Sequence, residues 1–127
     1  MSTTPQHRID VQVQCTYVPA QSDPGADRYF FAYTITITNK GTLPAKLLTR
    51  HWVITDANDK TIEVRGDGVV GQQPLLAPGK SFRYTSGAVI ETPVGTMRGS
   101  YQMIADDGTR FDTDIPRFLL SMPRTLH

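Results

Sequence analysis

Between Arg28 and Asn39 the chain reads R-Y-F-F-A-Y-T-I-T-I-T-N, with Tyr33, Ile35 and Ile37 alternating against Thr34, Thr36 and Thr38. A period of two sends successive side chains to opposite faces, which is the geometry of a half-buried strand and not of a helix. β-Branched and aromatic residues dominate the stretch and pack well on a pleated surface. The pattern recurs from Arg8 to Tyr17, where Ile9, Val11, Val13, Cys15 and Tyr17 interleave with Asp10, Gln12, Gln14 and Thr16. Nine prolines and ten glycines are scattered through 127 residues. They would break most helices longer than about two turns.

The remaining segments read the same way. Val18 to Asp27 collects two prolines and a glycine and predicts a surface connection, and Asn39-Lys40-Gly41 supplies turn chemistry. Ala45 to Ile54 alternates through Leu48, Trp52 and Ile54 with Arg50 on the same parity, which predicts Trp52 as a core residue. Thr55 to Lys60 turns this segment back into Thr61 to Arg65 as a hairpin. Ser81 to Ser86 is a short strand with Phe82 and Tyr84 on one face, and Gly87 ends it. Thr96 to Ala105, then Thr109 to Ile115, then Arg117 to Met122 beyond Pro116 complete the set, with Asp106-Asp107-Gly108 as a turn. The expected fold is all-β: one domain over residues 1–127, an antiparallel β-sandwich of seven to eight strands, immunoglobulin- or fibronectin type III-like.

Composition narrows the function. Thirteen basic against twelve acidic residues leave a net charge of +1 with no block of like charge, so a broad phosphate-neutralising face for nucleic acid is not expected. No apolar run reaches the roughly 20 residues that span a bilayer. The N-terminus has no apolar core behind a basic start, so the cytoplasm is the expected compartment. The single cysteine, Cys15, excludes an intramolecular disulfide and a cysteine-based zinc cage, and its strand position predicts a buried small hydrophobe.

Gly66 to Gly87 is the densest run of backbone-dictating residues, G-D-G-V-V-G-Q-Q-P-L-L-A-P-G-K-S-F-R-Y-T-S-G. Gly66, Gly68 and Gly71 spell the G-x-G-x-x-G spacing of dinucleotide-binding folds. That motif works only where its glycines open a helix whose amides face a pyrophosphate. Gln72-Gln73-Pro74-Leu75-Leu76-Ala77-Pro78-Gly79 cannot start a long helix, so a shaped loop is predicted. Gly79-Lys80-Ser81 is not a Walker loop, because the glycine it needs is Pro74; Pro78-Gly79 instead suits the centre of a type II turn. The apolar residues Val69, Val70, Leu75 and Leu76 either cap the sandwich or stay exposed as a partner site.

Other candidate sites are weaker. Asp56-Ala57-Asn58-Asp59-Lys60 begins like a calcium loop but fails at Lys60 and Thr61. Asp106, Asp107, Asp112 and Asp114 are the densest acidic group and read as solvated turn and strand carboxylates. His7, His51 and His127 have no metal-ligand spacing, and Ser86 beside Gly87 reads as a strand-end residue. No nucleophile, base and orienting acid are indicated together.

The glycine run, with R-H-W-V-I-T-D before it, T-P-V-G-T-M-R-G-S-Y after it and F-D-T-D-I-P-R-F-L-L near the end, resembles the ApaG family over nearly the whole chain. The resemblance implies a fibronectin type III-like sandwich. It also implies a non-enzymatic protein-interaction module, the role ascribed to related domains in eukaryotic F-box proteins and a polymerase-δ-interacting protein. It brings an indirect link to cobalt and magnesium resistance. The expected partner-binding residues are Gly66, Gly68, Val69, Val70, Gly71, Gln73, Pro74 and Leu75, with no catalytic, cofactor or metal residue and no identity for the partner. The alternative is a small-ligand or divalent-cation binder, taking a nucleotide at the glycines or Mg2+ or Co2+ at the Asp106 to Asp114 carboxylates. A dinucleotide hydrolase has only the glycine spacing behind it.

Overall fold

The computed structural model describes residues 6–123. Strands β1 (Ile9–Tyr17), β2 (Tyr29–Asn39) and β6 (Ser81–Ile90) form one sheet in the order β1-β2-β6. Strands β3 (Ala45–Asp56), β4 (Thr61–Asp67), β7 (Val94–Ala105) and β8 (Arg110–Ser121) form the other in the order β4-β3-β7-β8. A two-residue strand, β5 (Leu75–Leu76), pairs with the start of β3. Every pairing is antiparallel, and β1 lies alongside β8 where the two sheets close on one side. This is the immunoglobulin/fibronectin type III-like sandwich that the alternation predicts.

β2 shows most directly why the sandwich forms. Its burial alternates at every residue: Phe31, Ile35 and Ile37 are fully enclosed, while Thr34, Thr36 and Thr38 point outward. Thr34 bonds the Thr85 hydroxyl at 2.8 Å and Thr38 the Ser81 hydroxyl at 2.7 Å, so the outer face is tied across strands by side chains as well as backbone. Opposite Tyr33 sits Trp52, with ring centroids 5.4 Å apart in an edge-on arrangement, and Phe118 completes a triangle of rings, 5.9 Å from Tyr33 and 6.0 Å from Trp52. Edge-to-face contact between rings adds to the burial of their area. Cys15 faces inward but is only half-buried, and burial pushes its thiol pKa up.

Three strands depart from the sequence expectation, β3 and β8 by a bulge and β6 by its length. In β3 the expected inward residue Leu48 is half-buried, and Ala45 and Leu47 point inward instead, followed by Trp52 and Ile54. A β-bulge between Leu47 and Thr49 inserts one residue and switches the parity. β8 runs unbroken through Pro116: Ile115 pairs with Gly99 and Phe118 with Met97, so Pro116 and Arg117 together oppose Arg98. Proline is tolerated there because a bulge releases a residue from ladder bonding. β6 continues through Gly87 to Ile90, because the Phe30 ring of β2 lies where a Gly87 side chain would stand.

At the β8 bulge the backbone of Gly99 comes so close to β3 that a Cβ there would lie 2.2 Å from the His51 carbonyl oxygen. Backbone cannot yield as a side-chain tip can. Gly99→Ala should therefore lower stability by about 2 kcal/mol, read as a shift of the urea midpoint, without altering the β-rich circular dichroism of the protein that remains folded.

Candidate functional site

The segment from Gly66 to Gly79 carries the chain along one edge of β3 and then across to the other sheet. β4 leaves the ladder at Asp67, and the Gly68 amide donates to the Leu48 carbonyl at 2.8 Å. Gly68 takes φ +62°, and a side chain there would collide with the Gln72 carbonyl, so this position is confined to glycine. Val69 and Gln72 then exchange both amide-carbonyl bonds, at 2.8 and 2.9 Å, around a two-residue turn. The central residues Val70 (φ 43°) and Gly71 (φ 79°) are both left-handed, which defines the mirror-image turn found in tight hairpins. The carboxamide of Gln73 donates to the same Leu48 carbonyl at 2.9 Å, and the Leu47 amide donates to Pro74 at 3.0 Å, returning the chain to the edge of β3.

The apolar residues of this loop divide sharply. Val69 is 0% exposed and Leu76 3%, and both belong to the core, whereas Val70 is 54% and Leu75 67% exposed. Of the sequence-derived partner residues, Gly66 and Pro74 are half-buried and Gly68 is buried, leaving Val70, Gly71, Gln73 and Leu75 on the surface. The Gly68, Val69 and Gln72 amides are all bonded within the protein, and the loop leads into strand, not helix. The glycine spacing therefore does not hold out these amides to a phosphate.

Arg50 explains Gly66. On the inward face of β3, its Nη1 donates to the Asp67 and Gly68 carbonyls at 3.0 and 2.9 Å, and the guanidinium passes over Gly66, where a Cβ would lie 2.9 Å away. Among the described residues no carboxylate lies within ion-pair distance of Arg50, so carbonyl dipoles solvate its charge. Tyr101, its neighbour on β7, shares a hydrogen bond with Tyr84 across the core. Burial pushes the phenols of both well above the ordinary tyrosine range, so both stay neutral.

Asn39, which the sequence marks only as a turn residue, anchors the far end of the segment. It is 1% exposed; its carboxamide donates to Leu43 and Leu76 and accepts from Gly41, and its backbone bonds Gly79 and Lys80. Gly79 takes φ 82° and the Lys80 amide bonds Ala77 at 3.0 Å, as a type II turn on Pro78-Gly79 requires. A lone asparagine after a strand is a weak signal, and only the packing of two sheets makes it a buried clamp.

The other candidates resolve into local structure. The Asp56 carboxylate accepts from the Asn58 and Lys60 amides and shapes the β3–β4 turn. Asp107 accepts from the Thr109 amide, which, together with the nearby His7, holds its carboxyl below the usual range. Asp112 and Asp114 alternate outward on β8. Ser86 faces inward opposite Tyr33, whose phenol is pushed above the ordinary tyrosine range by burial. His51 lies half-buried on the outer face of β3, 3.6 Å from Glu63, while His127 lies outside the described residues. Among the described residues no group of three or more His, Cys, Asp or Glu side chains is placed to hold a metal ion, and no helix is long and apolar enough to cross a membrane.

An eight-stranded antiparallel sandwich with a closed, glycine-shaped loop on one edge defines the class, a β-sandwich domain of fibronectin type III-like build. The chain belongs to the ApaG family: the ApaG domain model matches residues 19–105. It is 61% identical over 127 residues to Protein ApaG of Aromatoleum aromaticum, and equally so to that of Thiobacillus denitrificans, covering 100% of both chains in each comparison. Among solved structures it is similar to an ApaA protein from Bordetella pertussis, at 53% identity and a TM-score of 0.93, covering 97% of this chain and 100% of the other.

Val70 is a β-branched residue in a conformation that costs L-residues roughly 1–2 kcal/mol, less for asparagine. Val70→Asn creates the Asn-Gly pair favoured in this turn and should raise stability by about 1 kcal/mol in urea titrations.

Proposed function

We propose that this protein is a non-enzymatic protein-interaction module of the ApaG type, and that it presents Val70 and Leu75 to a protein partner. The observation that carries the reading is Val70, a β-branched side chain kept in a left-handed backbone conformation and 54% exposed. Strain retained on a surface where a polar residue would relieve it marks a position with a task other than folding. Leu75, 67% exposed two residues beyond Gln73, supplies the second apolar contact. Gln73 lies between them with its carboxamide engaged on the Leu48 carbonyl, so the surface is held by a fixed loop and loses little entropy on binding. In this reading, a role in cobalt and magnesium resistance runs indirectly through the partner and needs no chemistry by this chain.

A photo-crosslinking residue at position 70 or 75 should capture one protein specifically from cells of the source organism. Val70→Asn and Leu75→Ser should each reduce that capture about tenfold. Val70→Asn is expected to be more stable than the parent, so its loss of binding could not be put down to unfolding. Capture unchanged by both substitutions would place the interaction elsewhere.

A further inference from the structure

We propose that the free edge of β4 is a self-complementary interface, on which a second copy of this chain adds its own β4 antiparallel with Glu63 opposite Arg65 of the second copy. β4 is an outer strand of the five-stranded sheet, and its pairing with β3 runs without a bulge from Thr61 to Asp67. All of its residues except Gly66 are exposed. It carries no proline, and its other edge has no strand among the described residues, whereas β8 at the opposite end of the sheet has β1 beside it. Such an edge offers a row of backbone donors and acceptors to any strand that matches it.

The phase of the ladder decides which groups are on offer. The bonds from the Asp56 amide to Lys60 and from the Gly68 amide to Leu48 place the even-numbered residues of β4 in the hydrogen-bonded pairs with β3. Thr61, Glu63, Arg65 and Asp67 therefore direct their N–H and C=O groups outward. A two-fold axis at Val64 brings the outward groups of Glu63 against those of Arg65 in the second copy, and the reverse. Both charge pairs then lie on the outer face of the joined sheet. Thr61 meets Asp67, and Val64 meets its own counterpart in the closer, non-hydrogen-bonded position.

The neighbouring registers are rejected by charge. An axis at Glu63 sets Glu63 against Glu63, and an axis at Arg65 sets Arg65 against Arg65 and Glu63 against Asp67. An axis at Gly66 also sets Arg65 against Asp67 twice, but it pairs only residues 65–67 of the strand, whereas the axis at Val64 pairs opposite signs twice along the whole of Thr61–Asp67. The apolar side agrees: Ile62 and Val64 face inward from β4 yet are 41% and 37% exposed. In the joined sheet the two valines cover one another, and each Ile62 lies opposite Gly66 of the second copy, against the stem and guanidinium of the Arg50 that covers that glycine. The β6 edge lacks this property, since Arg83 is its only charged residue. The charge pattern thus selects a second copy over an unrelated strand, and a two-fold closed pair is the commonest soluble assembly.

The test uses the full chain in sedimentation velocity over a range of concentrations at low salt. The parent should show a concentration-dependent dimer. Glu63→Arg and Arg65→Glu, each folded by circular dichroism, should each weaken self-association about tenfold or more, because one substitution sets like charges together at both ends of the axis. Mixed in equal amounts the two variants should associate with each other, since every arginine then faces a glutamate. A parent that stays monomeric at millimolar concentration, or a mixture no more associated than its separate components, would overturn the proposal. Neither substitution touches Val70 or Leu75, so failure here leaves the partner reading standing.

Discussion

The carbonyl of Leu48 accepts from both the Gly68 amide and the Gln73 carboxamide, and β3 holds one extra residue at that point. The bulge turns the strand's parity, so that Leu47 on one side and Trp52 on the other both enter the core. It also interrupts the edge of β3 where β4 ends and before β5 begins. The segment between them closes into its own two-residue hairpin, with Val69 tucked into the core and Val70 left outside. Core packing and surface display in this region are two results of one inserted residue.

Polar groups drawn into the sandwich are satisfied by geometry, not by countercharge. Arg50 enters on a core-facing position and spends its donors on the Asp67 and Gly68 carbonyls. Tyr84 and Tyr101 bond each other, and the buried Asn39 carboxamide meets Leu43, Leu76 and Gly41. A buried polar group left without a partner costs more than a satisfied one contributes, so such groups fix where the chain passes. Arg50 and Asn39 hold the two ends of the Gly66 to Gly79 segment in this way, and the loop between them can carry a strained Val70 without collapsing.

Much of this was legible in the residues, for a physical reason. β2, β1 and the Pro78-Gly79 turn are set by local periodicity and local dihedral preference, which a sequence displays directly. The bulges at Leu48 and at Pro116 are not, because a bulge is a relation between two strands and only the register with β7 reveals it. Gly87 looks like a strand end until the Phe30 ring is seen to occupy its missing side chain. Composition could nominate Val69, Val70, Leu75 and Leu76 as a group. Which of them faces water depends on the two-residue turn, and hence on the pairing of Val69 with Gln72.

The glycine run closes on itself, with the Gly68, Val69 and Gln72 amides bonded inside the protein and not held out to a phosphate. Amide hydrogen exchange resolved by NMR tests this closure most directly. The Gly68, Val69 and Gln72 amides should be protected to a degree approaching those of β3, and added pyrophosphate should leave their shifts unchanged. Fast exchange at all three, with saturable shifts on adding pyrophosphate, would contradict it.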